Sequence, residues 1–279
     1  MPGTGNLNHD SNSYMLTYPE IDPVAVSFGV FEVHWYGLMY LVAFVAGWWL
    51  GKLRTRREGT GWRADEISDL LFYVALGVIL GGRIGYTLAY NFGAFIDDPL
   101  VILRIWQGGM SYHGGMVGVF VAMWLYGRHT GRTFFVVTDY LAPLVPIGLG
   151  AGRLGNFING ELWGRPTELP WGMVFPYVDH LPRHPSMLYE LFLEGVVLFA
   201  ILWIYSSKPR PTMAVSGLYL VCYGVFRFGV EFVRVPDDHI GFLAFDWLTM
   251  GQLLSLPMII IGLAFFAYAL RRTDGKVSW

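Results

Sequence analysis

Apolar stretches, each close to the length of a membrane-crossing helix, alternate with short polar connections along most of this chain. A spanning helix needs roughly 20 mostly apolar residues. Seven segments meet that requirement: 31–51, 67–90, 110–127, 134–152, 187–206, 214–233 and 248–270. The fourth contains Asp139, Pro143 and Pro146, which predicts a kinked or broken helix. The pattern predicts an all-α, polytopic integral membrane protein, with one transmembrane domain over residues 14–279 and an outer-face loop region at about 153–186. Residues 1–13, MPGTGNLNHDSNS, are polar and are expected to form a disordered tail. They lack the basic and apolar regions of a signal peptide, and Met15 is an alternative start.

Charge placement orients the spans. Lys52, Arg54, Arg56, Arg57 and Arg63 follow the first, Arg128 and Arg132 the third, Lys208 and Arg210 the fifth, and Arg271, Arg272 and Lys276 the seventh. Those 12 of the 19 basic residues fall on one side, which the positive-inside rule makes cytoplasmic. The C-terminus is therefore expected inside and, with seven spans, the N-terminus outside. The outer connections 91–109, 153–186 and 234–247 are longer and chemically richer, so chemistry is expected there.

Composition agrees: 54% of residues are hydrophobic and 14% charged, against about 25% charged in soluble domains. A net charge of −2 excludes a nucleic-acid partner. The single cysteine, Cys222, excludes an internal disulfide and a cysteine-based metal cluster. Glycines recur every fourth residue at 77, 81 and 85, at 114 and 118, and at 148 and 152. This spacing predicts seams where helix backbones pack closely.

Arg83, Glu190, Glu194, Arg227 and Glu231 lie within or near apolar spans, where each charge costs about 2.5–3.5 kcal/mol at the helix centre. Tyr223, Arg227, Glu231 and Arg234 share one helix face, which is either an intrahelical Arg227–Glu231 pair with an interfacial anchor or a functional stripe. Glu190 and Glu194 also share a face and are expected to pair with Arg83. His113, between glycines in GGMSYHGG, is either a satisfied hydrogen-bonding residue or a base that a substrate can approach closely. His34, Trp35 and Tyr36 fit an aromatic interfacial belt, and His184 fits a structural role.

The stretch GAGRLGNFINGELWGR, residues 150–165, concentrates Arg153, Asn156, Asn159, Glu161 and Arg165 at the end of an apolar run. An arginine fork suits phosphate or carboxylate, and asparagine adds neutral donors and acceptors. Glycine-rich irregular backbone is tolerated at this depth only where it is buried or lines a cavity. The stretch suits the head group of an anionic phospholipid.

Six segments also carry a family resemblance: HWYGLMYL (34–41), GGRIGY (81–86), GGMSYHGG (108–115), GAGRLGNFINGELWGR (150–165), RHPSMLYE (183–190) and YGVFRFGVEFVR (223–234). In this order, from about Tyr14 to Arg272, the chain resembles the bacterial prolipoprotein diacylglyceryl transferases. The resemblance implies transfer of the sn-1,2-diacylglyceryl group from phosphatidylglycerol to the lipobox cysteine of a prolipoprotein signal peptide. The products are a thioether and glycerol 1-phosphate, at the first step of lipoprotein maturation. It further implies a bacterial inner-membrane enzyme with its site towards the outer, periplasmic face, in contact with membrane lipids and using no metal or organic cofactor. By resemblance, Arg153 and Arg227 are the cations that meet the departing phosphate, and Arg153 makes the phosphatidylglycerol contact. His113 is the candidate base. Asn156, Tyr36, Tyr223 and Glu161 line or orient the site, with Glu231 and Arg234 in the same substrate-contact set. Because the nucleophile is the substrate's thiol, Cys222 need not act. Two membrane-embedded substrates call for lateral gates, expected near the glycine seams. A lipid transporter would use the same arginines but need both faces, a serine protease would need a nucleophile motif that Ser111 and Ser186 lack, and a scaffold would not need so many buried charges.

Overall fold

The structure is a computed structural model describing residues 16–29, 31–57, 59–236, 241–245, 247–271 and 277–278. The expected polar tail, and Met15, lie outside the described residues. In chain order the elements are β1 (Leu16–Thr17), β2 (Val24–Phe28), β3 (Phe31–His34), α1 (Trp35–Thr55), α2 (Ala64–Tyr90), α3 (Phe92–Asp97), α4 (Tyr112–Thr130), α5 (Phe134–Leu141), α6 (Val145–Ile158), β4 (Met173–Val174), β5 (Pro182–Arg183), α7 (Ser186–Glu190), α8 (Leu198–Tyr205), β6 (Arg210–Pro211), α9 (Ala214–Val230), α10 (Met250–Arg271) and β7 (Val277–Ser278). Two short 3-10 turns lie between α3 and α4, and a π-helical segment, Leu191–Val197, joins α7 to α8.

Helices dominate. Four are long and apolar enough to cross a membrane: α1, α2, the continuous Ser186–Tyr205 stretch and α10. The pair α5 and α6 makes a fifth candidate if read as one span bent by 48°. The break falls at the residues around Pro143 and Pro146 that predict it. Helix α9 is apolar but shorter. Residues 31–34, expected to begin the first span, instead form β3, paired antiparallel with β2. The all-α expectation also missed a small sheet in the order β1-β4-β5 and the pair β6-β7. These strands are two to five residues long and lie in connections, where short runs carry no readable alternation.

The helix surfaces away from the core expose large apolar side chains, among them Leu41, Trp49, Phe72, Leu80, Ile260 and Leu263. Hydrocarbon is the solvent that accepts such surfaces. Polar residues are taken up internally. Asp139, in the broken span, is fully buried and accepts from Met213 N at 2.7 Å and Ser216 N at 2.8 Å. It thereby caps the start of α9 from another helix, where backbone N–H groups lack partners.

Glycine seams set helix spacing. A Cβ on Gly77 would lie 2.6 Å from Gly118 O, and one on Gly85 would lie 2.7 Å from Gly114 Cα, so α2 and α4 touch backbone to backbone. Gly148 and Gly152 do not form the expected seam, since nothing stands within 4 Å of a Cβ at either position. The close approach on α6 is made by Gly150, whose Cβ would meet Gly195 Cα of the π segment at 3.2 Å. A further seam, Gly217 against Gly262, joins α9 to α10.

The basic connections gather at one end. Arg132 pairs with Glu66 at 2.9 Å, Arg57 donates to Ser206 O at 2.8 Å, and β6 pairs with β7. At the opposite end the β1-β4-β5 sheet and residues 159–185 form a small head, cored by Tyr18, Met173, Phe175 and Met187. The head stands directly on the ends of α6 and α9.

Candidate functional site

The Gly150–Gly195 contact brings α6 and the π segment together one helical turn below Arg153. Arg153 Nε therefore meets Glu190 Oε2 at 2.9 Å, and its Nη2 lies 3.9 Å from Glu194 Oε2. Arg227 of α9 reaches the other oxygen of Glu190 and pairs with Glu231 Oε1 at 2.5 Å. Glu231 in turn receives Arg234 at 3.0 Å and the Thr249 hydroxyl at 2.7 Å. A continuous arginine–carboxylate ladder thus runs across α6, the end of α7, the π segment and the outer end of α9. Glu190 and Glu194 are fully buried, while Arg153 is 20% exposed. Buried carboxylates hold the arginines in place, and Arg153 keeps part of its fork accessible.

The polar line continues outward from Arg153. Arg153 Nη1 is 3.5 Å from Asn156 Oδ1, Asn156 Nδ2 is 3.3 Å from Glu161 Oε2, and Asn159 Nδ2 donates to Glu161 Oε1 at 3.2 Å. Helix α6 ends at Ile158, so Asn156 stands one turn above Arg153, as the sequence implies if the helix continues. Tyr36 packs against Gly155, where a Cβ would meet its ring at 2.8 Å, and its hydroxyl is 3.3 Å from that of Tyr40. Tyr223 stacks in parallel on Tyr219, ring centroids 5.8 Å apart, within electrostatic reach of Glu194 and Arg227.

His113 stands apart from this set. It is exposed in the first turn of α4, edge-on to the Tyr112 ring at 5.6 Å. Among the described residues no hydrogen bond or ion pair joins it to the ladder.

The head closes over the outer end of the ladder. Gly164 N donates to His184 O at 2.7 Å and Arg165 N to Val233 O at 2.8 Å. A Cβ on Gly164 would lie 2.5 Å from Val233 O, so only glycine allows this approach. Leu162 sits in the left-handed region at φ 62°, with its carbonyl accepting from Ser186 Oγ at 2.7 Å. Asp179 is paired with Arg183 at 2.5 Å, a hydrogen bond that holds its carboxyl below the usual carboxylate range. His184 Nδ1 lies 3.2 Å from Tyr189 OH, and burial lowers its pKa. Trp171 donates to the same hydroxyl at 2.8 Å.

Arg83 does not pair with Glu190 and Glu194, contrary to the sequence expectation. Its guanidinium donates to backbone carbonyls, including Ile102 O at 3.1 Å, Val101 O at 2.5 Å and Arg104 O at 2.9 Å, and also to Gly108 and Gly109. It clamps the connection before α4. The two carboxylates it was matched with belong to Arg153 and Arg227. Glu190 and Glu194, which the sequence reading left in a structural role, thus stand in the ladder beside Arg153 and Arg227. Their helical spacing was legible, but the π segment that carries Glu194 and brings Gly195 against Gly150 was not. The intrahelical Arg227–Glu231 pair is present and is itself a rung of the ladder.

Residues 23–268 match the family model described as Prolipoprotein diacylglyceryl transferase. The chain is 60% identical over 259 residues to the phosphatidylglycerol–prolipoprotein diacylglyceryl transferase of Ectopseudomonas mendocina, covering 92% of this chain and 97% of that one. It is equally 60% identical to the enzyme of that name from Azotobacter vinelandii, covering 92% and 98%. Identity to the Methylococcus capsulatus enzyme of that name is 59%, covering 92% and 99%. A family match over most of the chain and near-complete mutual coverage lead to one conclusion: the chain belongs to the prolipoprotein diacylglyceryl transferase family.

Proposed function

We propose that this chain carries a diacylglyceryl group from phosphatidylglycerol to the cysteine thiol of a prolipoprotein, the first step of lipoprotein maturation, and that the arginine ladder is where the lipid phosphate sits. The observation that carries the reading is the shared carboxylate. Glu190 fixes Arg153 and Arg227 side by side, with Arg153 still partly accessible.

The chemistry follows from charge. The thiol sulfur forms a bond to the terminal glyceryl carbon, and the carbon–oxygen bond to phosphate breaks. The electron pair leaves on the phosphate oxygen, so a phosphodiester with one negative charge becomes a phosphomonoester with two. Cations already in place stabilise that growing charge without reorganising. Arg153 takes the phosphate contact and Arg227 supports it. Asn156, Glu161, Tyr36 and Tyr223 line the space for the glycerol and diacylglyceryl parts, and Glu231 with Arg234 hold the outer end. His113 takes the thiol proton and passes it to water. A thiol of pKa about 8.5 needs only modest help near neutral pH. His113 stands off the ladder at the start of α4, so the peptide approaches from that side and the lipid from the arginine side.

The enzyme lies in the bacterial inner membrane as seven passes: α1, α2, α4, α5 with α6, the Ser186–Tyr205 stretch, α9 and α10. The basic end faces the cytoplasm and the head faces outward, with the N-terminus outside. Shorter α9 and broken α5–α6 cross because neighbouring helices satisfy their polar groups.

The test uses phosphatidylglycerol labelled in its diacylglyceryl part, a lipobox peptide, its Cys→Ser counterpart, and wild-type or Arg153→Gln enzyme. A diacylglyceryl mass gain that requires both the peptide cysteine and Arg153 is expected. Folded enzyme that binds the lipid and transfers nothing would refute the reading.

A further inference from the structure

Glu194 is fully buried, yet neither of its carboxylate oxygens accepts a hydrogen bond from a described residue. Its ion-pair contact is Arg153 Nη2 at 3.9 Å, beyond hydrogen-bonding range. The other donors of that guanidinium are turned elsewhere, Nε to Glu190 and Nη1 to Asn156. Glu190, by contrast, is met by two guanidinium groups, and Glu231 by Arg227, Arg234 and the Thr249 hydroxyl. Of the three buried carboxylates in the ladder, one is therefore left without donors. A buried anion without donors bears the full loss of its hydration, whereas the protonated acid does not.

The surroundings define what that proton would do. Glu194 is faced by Arg153 from α6, by Arg227 from α9 and Arg234 beyond it, and by Glu190 one turn earlier on its own helix. Tyr219 and Tyr223 of α9 complete the ring, with Tyr112 of α4 next beyond them. With all four ionised, Arg153, Arg227, Glu190 and Glu194 sum to zero. A phosphodiester, with one negative charge, would then enter a neutral setting. One proton on Glu194 leaves the inner set at +1, which matches it.

We propose that Glu194 is a positioning residue that carries its carboxyl proton when phosphatidylglycerol is bound, so that the arginine pair presents a net single positive charge to the lipid phosphate. This rests on the phosphate reading of Arg153 given above. Glu194 makes no bond to carbon, sulfur or phosphorus, and its proton stays in place through transfer. It acts by leaving Arg153 uncompensated on the side that meets the lipid.

The experiment measures phosphatidylglycerol binding to the full chain in detergent, without peptide so that no turnover occurs, between about pH 6 and 9. Wild type, Glu194→Gln, Glu194→Asp and Arg153→Gln are compared, each checked for folding by thermal melting. Wild-type affinity is expected to fall about tenfold across the range as Glu194 ionises. Glu194→Gln, permanently neutral, should hold the low-pH affinity throughout, and Glu194→Asp should keep a slope. Histidines that titrate in the same range would leave the slope intact in Glu194→Gln, and that result overturns the proposal. So does Glu194→Gln binding as weakly at low pH as Arg153→Gln. Should Glu194→Gln fail to fold, Glu194→Asp decides: a falling profile whose midpoint moves from that of wild type upholds the proposal, and a flat profile or an unmoved midpoint overturns it. If Arg153→Gln binds the lipid as wild type does, the phosphate reading fails and takes this proposal with it.

Discussion

Arg153 and Arg227 grip opposite oxygens of one buried carboxylate, that of Glu190. Each arginine comes from a different helix, so Glu190 is the joint that sets their separation. Removing one partner of a buried pair costs about 3–5 kcal/mol, because the remaining charges stay buried. Glu190→Gln is expected to lower the melting temperature and to cut transfer on the order of a hundredfold, the size of effect seen when a prepositioned charge-stabilising contact is lost. Label-transfer kinetics and melting curves check both; wild-type kinetics would show that the shared carboxylate does not position the arginines.

The α2–α4 seam makes a sharp packing prediction. A Cβ on Gly118 would run into the carbonyl of Gly77, which is backbone and cannot move aside. Gly118→Ala should cost about 1–3 kcal/mol, the usual range for overpacking. Gly148→Ala, with nothing within 4 Å, should be close to neutral. Substrate gates were expected near glycine seams, but this one is closed backbone to backbone. A disulfide engineered across it is expected to leave turnover intact, and blocked turnover would show that the seam opens.

Arg83 donates to five carbonyls of the connection ahead of α4. A buried acceptor left unsatisfied costs about 1–3 kcal/mol. Arg83→Gln should therefore expose residues 98–110 to limited proteolysis and slow transfer through the displaced start of α4, which carries His113. Proteolysis unchanged from wild type would rule out the clamp.

His184 gives the head a pH dependence. Burial lowers its folded pKa below the ordinary 6.5, so below that value the unfolded chain binds more protons than the folded one. The stability that His184 contributes should be fully present above about pH 6.5 and be lost as pH falls from there through the lowered folded value. Melting of wild type and His184→Gln between about pH 5 and 8 tests the sign, with the slope flattened in the variant.

Cys222 is partly buried against the Leu198–Leu202–Val215 cluster and has no place in the ladder. Cys222→Ser is expected to keep transfer activity. A folded but inactive variant would show that the enzyme's own thiol takes part.

The predominantly helical, apolar character of the fold was legible because hydrophobic length is a local property of the chain. The broken span showed in Pro143 and Pro146, and the tight α2–α4 seam in glycines four residues apart. Arg153, Asn156 and Glu161 stood out because charge and amide groups cluster abruptly after an apolar run, and the structure does bring them into one line. Short strands such as β3 and β4 were not legible, since a few residues hold no periodicity.

What only the tertiary structure decided was pairing. From sequence, Arg83 is the expected partner of Glu190 and Glu194, because all three are charges within or near apolar spans that need compensation, while Arg153 falls just after an apolar run and is matched to the lipid phosphate. The choice depends on which helices touch. Gly150 against Gly195 draws α6 onto the π segment and delivers Arg153, while Arg83 finds its partners in backbone carbonyls of a loop. Burial costs can be read along a chain one residue at a time; the group that offsets each cost is set by contacts between segments far apart in it.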